Sequence, residues 1–270
     1  MITKRLGVLG AIAILPAFAQ VSSAPASMEK IAPRQHRPIK DHVDNGDGTS
    51  TSTNWSGYAV LGSSFTSAEG SWVVPTATCS SSGDLYASFW VGLDGYSSST
   101  VEQTGTDSDC DGKTPSYYAW YEFYPHPSYE ITSLTIKPGD RMSAKVVYSG
   151  SEFTITIEDV TTGKSYSKSS RVSGAARSSA EWIAEAPCCT GSEGILPLAD
   201  FGTVLFGEDS TGVTGTNYAT DSTTSGAIGA FPAADIEEIN KVASSTSPQL
   251  STCSASLSSD GTSFSCTWAK

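Results

Sequence analysis

Histidine is scarce in this 270-residue sequence: it occurs at His36, His42 and His126, and His126 alone follows residue 50. A Ser–His–Asp or Cys–His mechanism in the body of the chain would have to use His126, which stands between Pro125 and Pro127 and reads as a loop residue. A histidine-based metal site fails for the same reason, and no two cysteines stand as Cys-x-x-Cys, so no zinc is expected. Gly-x-Ser-x-Gly is missing too; Gly95-Tyr-Ser-Ser-Ser lacks the final glycine. Neither a phosphate loop nor a dinucleotide fingerprint occurs. Basic residues are few, 16 Lys and Arg against 28 Asp and Glu, which argues against nucleic acid as a partner because phosphate binding needs a basic face. What remains is carboxylate chemistry.

Long apolar runs are confined to the start of the chain. Lys4 and Arg5 precede the run Leu6 to Phe18, and small residues follow at Ala17, Ala19, Ser22 and Ala24. That order predicts a signal peptide over 1–24 and a secreted, extracellular product. The run is shorter than the roughly 20 apolar residues a membrane span needs, so no membrane partner is expected. Residues 25–50 collect Lys30, Arg34, Arg37, Lys40, His36 and His42 among prolines, without a periodic apolar pattern. They read either as a disordered linker or as a basic propeptide. The second reading rests on contrast, since from Ser50 onward 10 Lys and Arg face 24 Asp and Glu. Such a leader would hold against the carboxylates of the body near neutral pH and inhibit it, and let go in acid.

Residues 51–270 fit one domain. Short runs rich in Val, Ile, Thr, Tyr, Phe and Trp recur between Gly, Ser, Asp and Pro breaks, as in Leu85–Asp94, Tyr117–Tyr124, Arg141–Tyr148 and Glu152–Val160. Short turns between them, such as Ser149-Gly150 and Thr161-Thr-Gly-Lys164, imply antiparallel sheets and a sandwich or barrel. A short helical turn is expected near Ala233–Val242. Six cysteines in an exported chain favour disulfides. Cys253 and Cys266 flank the turn signal Ser-Ser-Asp-Gly-Thr-Ser and are expected to bridge a hairpin; the pairing of Cys79, Cys110, Cys188 and Cys189 stays open.

Strand alternation assigns faces. Phe89, Val91 and Leu93 share one face, and Trp90, Gly92 and Asp94 the other; Tyr121 and Phe123 oppose Trp120, Glu122 and Tyr124. Trp182 falls with small residues, while Glu181 falls with Ile183 and Glu185. The pattern suggests an oily inner face and an aromatic, acidic outer groove that grips a polymer. A glycosidase with paired carboxyls, a peptidase with an activated water and an oxyanion donor, and a lectin-like carbohydrate-binding module all fit such a groove.

Six local motifs separate these readings. Asn54-Trp-Ser-Gly-Tyr58, Trp72-Val-Val-Pro75, Phe89-Trp-Val-Gly-Leu-Asp-Gly95, Gln103-Thr-Gly105, Tyr118-Ala-Trp-Tyr-Glu-Phe-Tyr-Pro125 and Ala180-Glu-Trp-Ile-Ala-Glu185 occur in this order. Together they resemble the glutamic peptidase (eqolisin) family over nearly the whole of the chain from Asn54. The resemblance implies an all-β, antiparallel two-sheet sandwich of the concanavalin-like kind. It also implies acid endopeptidase activity on protein or peptide substrates without a cofactor, and activation by removal of a propeptide. A monomer is expected. By the same resemblance Gln103 matches the catalytic glutamine and Glu181 the catalytic glutamate, with Trp90, Asp94, Trp120, Glu122 and Tyr124 lining or supporting the cleft.

In this reading Glu181 takes a proton from water and returns it to the leaving amine, while the Gln103 amide donates to the developing oxyanion. Three details stand out. Tyr118 occupies a place where characterised fungal members carry Asp, which bears on the tuning of the site. Alternation puts Glu102 on the oily face, so a bulge or a less buried strand is expected there. Asn54-Trp-Ser56 is formally a glycosylation sequon, but a structural role for Asn54 is favoured.

Overall fold

The structure, a computed structural model, describes residues 29–80, 83–188, 194–244 and 249–269. The expected signal segment 1–24 and Cys189 lie outside the described residues.

Runs with alternating apolar residues become strands, and their pairing builds two layers. In the first layer the order is Thr114–Tyr124, Val101–Asp111, Ser88–Leu93, Ser179–Glu185, Trp55–Leu61 and Ile236–Val242, each antiparallel to the next. In the second it is Lys164–Ser170, Glu152–Asp159, Arg141–Ser149, Ser67–Val73, Thr203–Phe206 and Phe264–Trp268. The strand Gln249–Cys253 pairs with both Ile236–Val242 and Phe264–Trp268, so one continuous sheet folds over into a sandwich.

The main core lies between the layers. The first contributes Phe89, Val91, Leu93 and Trp182; the second contributes Trp72, Met142, Val146 and Phe153, all buried. Burying one such side chain is worth about 1.5–3 kcal/mol. Both core indoles find an acceptor on the opposite layer, as a buried N–H requires. Trp182 Nε1 donates to the Glu69 carbonyl at 2.8 Å, and Trp72 Nε1 to Thr106 Oγ1 at 2.9 Å. The hairpin disulfide Cys253–Cys266 forms as expected, across directly opposed residues, and Cys79 bridges to Cys110.

Two expectations need correction. Near Ala233–Val242 the helical part is limited to the 3₁₀ turn Ala233–Asp235; Ile236–Val242 is a strand. Around Glu102 the register runs without interruption from Val101↔Tyr124 to Asp111↔Thr114, so there is no bulge, and Glu102 is fully buried.

The basic leader is docked rather than free. Lys30–Ile31 pairs with Tyr129–Glu130, and the Ala32 N–H donates to the Ser128 carbonyl. Gln35 and Cys188 exchange backbone hydrogen bonds at 3.0 and 2.9 Å, and the Ile39 N–H donates to the Gly95 carbonyl. Asn54 is the fastener at the far end: its Oδ1 accepts from the Lys40 N–H at 2.7 Å and its Nδ2 donates to the Pro38 carbonyl. The leader thus crosses the outer face of the first layer.

Candidate active site

Three rows of paired residues form that outer face. Gly92, Gln103 and Glu122 stand opposite one another on successive strands, as do Trp90, Gly105 and Trp120, and Ser88, Asp107 and Tyr118. The neighbouring strand adds Glu181 beside Gly92, Ile183 beside Trp90 and Glu185 beside Ser88. Gly105 has to be a glycine. A Cβ there would lie 2.3 Å from the Phe89 carbonyl oxygen and 2.6 Å from Trp90 Cβ, which would push apart the two tryptophans that wall the cleft.

Gln103 spends both amide protons: Nε2 donates to Glu122 Oε2 at 3.1 Å and to the His36 carbonyl at 3.0 Å. Its Oε1 is buried without a hydrogen-bond partner among the described residues. Glu122 Oε2 also accepts from the His36 N–H at 3.0 Å. Glu185 Oε2 accepts from Trp90 Nε1 at 2.9 Å, and its Oε1 from the Arg37 N–H at 3.3 Å and Asn54 Nδ2 at 3.4 Å. The His36 ring sits in the middle, stacked on Trp120, with Nδ1 3.4 Å from Glu185 and Nε2 3.9 Å from Asp107. Either side of this point the groove stays open. One cleft of about 450 Å³ is lined by Arg34, Tyr86, Asp109 and Tyr118, and another of about 380 Å³ by Arg37, Asn54, Glu185 and Ile195.

Burial governs the charges. It pushes the Glu185 carboxyl up to about 8, against the hydrogen bonds from Arg37, Trp90 and Asn54 that favour its ionised form. Glu122 is driven well above the usual carboxylate range by burial, with the charge of Glu185 adding to it. Burial lowers His36 to about 4, although Asp107 pulls the other way. Asp107 is itself raised by burial and is partly compensated by His36 and by hydrogen bonds from Ser88 and Tyr118. The Tyr118 hydroxyl donates to Asp107 at 2.6 Å, so Tyr118 acts as a donor to a buried acid.

Of the residues expected from sequence, Gln103, Trp90, Trp120 and Glu122 come together here. Tyr124 is half-buried at the edge of the same face. Asp94 serves the loop instead: its carboxylate accepts from the backbone N–H groups of Arg177 and Ser178 at 2.7 and 2.9 Å, ahead of the strand Ser179–Glu185. Glu181 shares the outer face with Gln103, across Gly92, but Gln103 makes its hydrogen bonds to Glu122 and the leader. Burial raises the Glu181 pKa and the charges of Asp94 and Glu102 add to that, while the Ser179 hydroxyl favours its ionised form. Of the two glutamates on that strand, Glu185 is the one that meets the backbone segment Gln103 holds. Period-two alternation put Glu181 and Glu185 on one face without choosing between them.

A folded-over antiparallel sheet with a buried amide and carboxyls in its outer cleft is the architecture of a carboxylate-based peptidase fold. The chain matches the Peptidase A4 family over residues 53–267 and belongs to it, the family of the glutamic peptidases or eqolisins. Aspergillopepsin-2 of Aspergillus niger is 34% identical over 178 residues, 57% of this chain and 62% of that protein. Scytalidopepsin B of Scytalidium lignicola is 37% identical over 146 residues, 52% of this chain and 54% of that protein. The chain therefore spans less than two thirds of the length of either curated relative. Scytalido-glutamic peptidase, solved with a transition-state-analogue inhibitor, superposes with a TM-score of 0.65 at 30% identity, covering 80% of this chain and 98% of that one. Aspergilloglutamic peptidase from Aspergillus niger gives 0.55 at 28% identity, covering 68% and 99%.

Proposed function

We propose that this chain is a secreted, acid-active endopeptidase made as a zymogen, in which Gln103 and Glu185 carry the reaction. One observation carries this reading: Gln103 and Glu185 hold the two ends of a single peptide group. The amide of Gln103 donates to the His36 carbonyl oxygen, and the carboxyl of Glu185 receives the Arg37 N–H. Hydrolysis needs a donor at the first position, for the oxyanion, and a proton carrier at the second, for the leaving amine.

In acid Glu185 is protonated: one carboxyl oxygen gives its proton to the nitrogen, while the other takes a proton from the water whose oxygen adds to the carbonyl carbon. Gln103 is suited to its part because an amide stays neutral and keeps its donors at any pH. Glu122 orients that amide by accepting its second proton. Glu181, the carboxyl expected from the sequence motif, is assigned no proton transfer.

Acid activity is supported by how the fold holds its carboxyls, since Glu102, Glu122, Glu181 and Glu185 are all raised by burial. Inhibition by the leader is supported by its course through the cleft. Charge contributes as well: Lys30 pairs with Glu130 at 2.6 Å, and a pair so exposed on its lysine side is worth about 0–1 kcal/mol, while Arg34 lies 3.9 Å from the buried Asp109. No observation favours the carbohydrate-active alternative.

The test is digestion of a denatured protein at about pH 3.5, where a model carboxyl is mostly protonated. Glu185→Gln and Gln103→Ala should each lose activity by about 100-fold or more, and Glu181→Gln should keep most of it. An inert Glu181→Gln beside an active Glu185→Gln would return the catalytic role to Glu181.

A further inference from the structure

The leader does more than cover the cleft; it lies there as a peptide lies under hydrolysis. Upstream of the His36–Arg37 bond it is held by the pairing of Lys30–Ile31 with Tyr129–Glu130 and by the Gln35–Cys188 bridge. Downstream, the Ile39 N–H bonds to the Gly95 carbonyl and the Lys40 N–H to Asn54 Oδ1. Arg37 precedes Pro38, which biases it toward the extended backbone a cleft substrate adopts. The imidazole of His36 is clamped against Trp120, so the peptide group cannot slide by one residue without losing that stack.

Resting on the Gln103–Glu185 reading, we propose that the His36–Arg37 peptide bond is the chain's own first substrate, cut within the same molecule. Other peptide groups of the docked leader make different contacts. The Gln35 N–H and carbonyl are both engaged by Cys188, and the Arg37 and Pro38 carbonyls face Asn54 Nδ2 at 3.4 and 3.2 Å. The 36–37 group alone meets an amide donor at its oxygen and a carboxyl at its nitrogen.

The step balances with water as co-reactant. Water oxygen bonds to the His36 carbonyl carbon, the carbon–nitrogen bond to Arg37 breaks, and Glu185 moves a water proton to the Arg37 nitrogen. Gln103 Oε1, buried and without a partner among the described residues, is the acceptor that orients that water. The products are a His36 carboxyl terminus and an Arg37 amino terminus. Because both flanks are already tethered, the bond and its catalytic groups sit at the high effective concentration of an intramolecular reaction. Among the described residues the upstream piece then keeps the short pairing at Tyr129–Glu130, the Ala32–Ser128 and Gln35–Cys188 bonds, and the buried His36 with its stack on Trp120 and its N–H on Glu122; protonation of His36 in acid loosens this last hold.

The experiment uses the full chain with its leader, brought from neutral pH to about pH 3.5 and followed by intact mass and N-terminal sequencing. The first new N-terminus should be Arg37, and the rate should not change on dilution. Gln103→Ala should slow this cut by about 100- to 1,000-fold. Arg37→Pro, which removes the N–H that faces Glu185, should leave the bond intact, with its neutral-pH melting temperature reporting that the chain still folds. A first cut elsewhere in a chain that digests added protein would overturn this inference and leave the peptidase reading standing. So would cleavage of a Glu185→Gln chain at 36–37 by added wild type as fast as wild type cuts itself. A chain that neither cuts itself nor digests protein would remove both.

Discussion

The imidazole of His36 lies flat on the indole of Trp120, with ring centroids 3.6 Å apart and planes 9° from parallel. It is fully buried between Asp107, Glu185 and Glu122, with Arg34 adding a positive charge nearby. A neutral ring suits that seat, and a charged ring does not.

His36 therefore makes leader docking sensitive to acid. Its pKa falls from 6.5 to about 4 on docking, so the docked state is favoured by the neutral ring. The stabilisation is complete above the free value and is lost as pH falls toward 4, a change of about 3 kcal/mol at roughly 1.4 kcal/mol per unit. In a Glu185→Gln chain, which should not process itself, hydrogen exchange of residues 30–40 should rise steeply over that window. His36→Phe keeps the stack but has no proton to gain, and should hold the leader to lower pH. Identical exchange profiles for the two chains would rule out His36 as the acid-sensitive contact.

The Trp90 indole N–H helps keep Glu185 ionisable. Trp90→Phe retains the ring and removes the donor, so the Glu185 pKa should move further up. A hydrogen bond to a charged group is worth about 1.5–3 kcal/mol, which predicts a shift of about one unit or more. The limb of the kcat/KM–pH profile that reports Glu185 should move to higher pH by that amount. A profile that loses height without moving would mean that Trp90 only packs.

Glu102 should make the fold most stable in acid. Burial and the charge of Asp94 push its carboxyl up to about 9, so the folded chain keeps a proton that the unfolded chain releases near 4.3. Unfolding then releases protons between those values, and stability falls as pH rises through the window. Glu185, at about 8, acts in the same direction. The urea midpoint should be highest near pH 4 and decline toward pH 8, and Glu102→Gln should flatten that decline. A midpoint equal or higher at pH 8 would show that these carboxyls are not held neutral.

Much of this was legible in the sequence because strand geometry repeats every two residues. The runs around Phe89 and Tyr121 placed Trp90, Trp120 and Glu122 opposite the oily core from alternation alone. The Cys253–Cys266 hairpin followed from a turn signal between two short strands. Glu102 broke the pattern, and the structure resolves the break by burying the acid rather than by bending the strand. The leader was harder to read. Its anchors, Ser128, Cys188, Gly95 and Asn54, are scattered along the chain and leave no periodic trace in residues 29–41.

Local chemistry by itself determined that this chain forms antiparallel strands, which faces they turn inward, that one hairpin is stapled, and that carboxyls rather than histidines line the groove. Tertiary structure decided which of the two glutamates on one strand meets the backbone that Gln103 holds. Glu181 and Glu185 lie on one face of one strand, four residues or about 13 Å apart along it, and alternation treats them alike. Their difference arises across strands, where Glu181 stands beside Gly92, and Glu185 reaches Trp90, Asn54 and the backbone of Arg37. Register and sheet curvature bring those groups together from positions 37, 54, 90 and 185, and no local sequence pattern encodes a distance between residues that far apart.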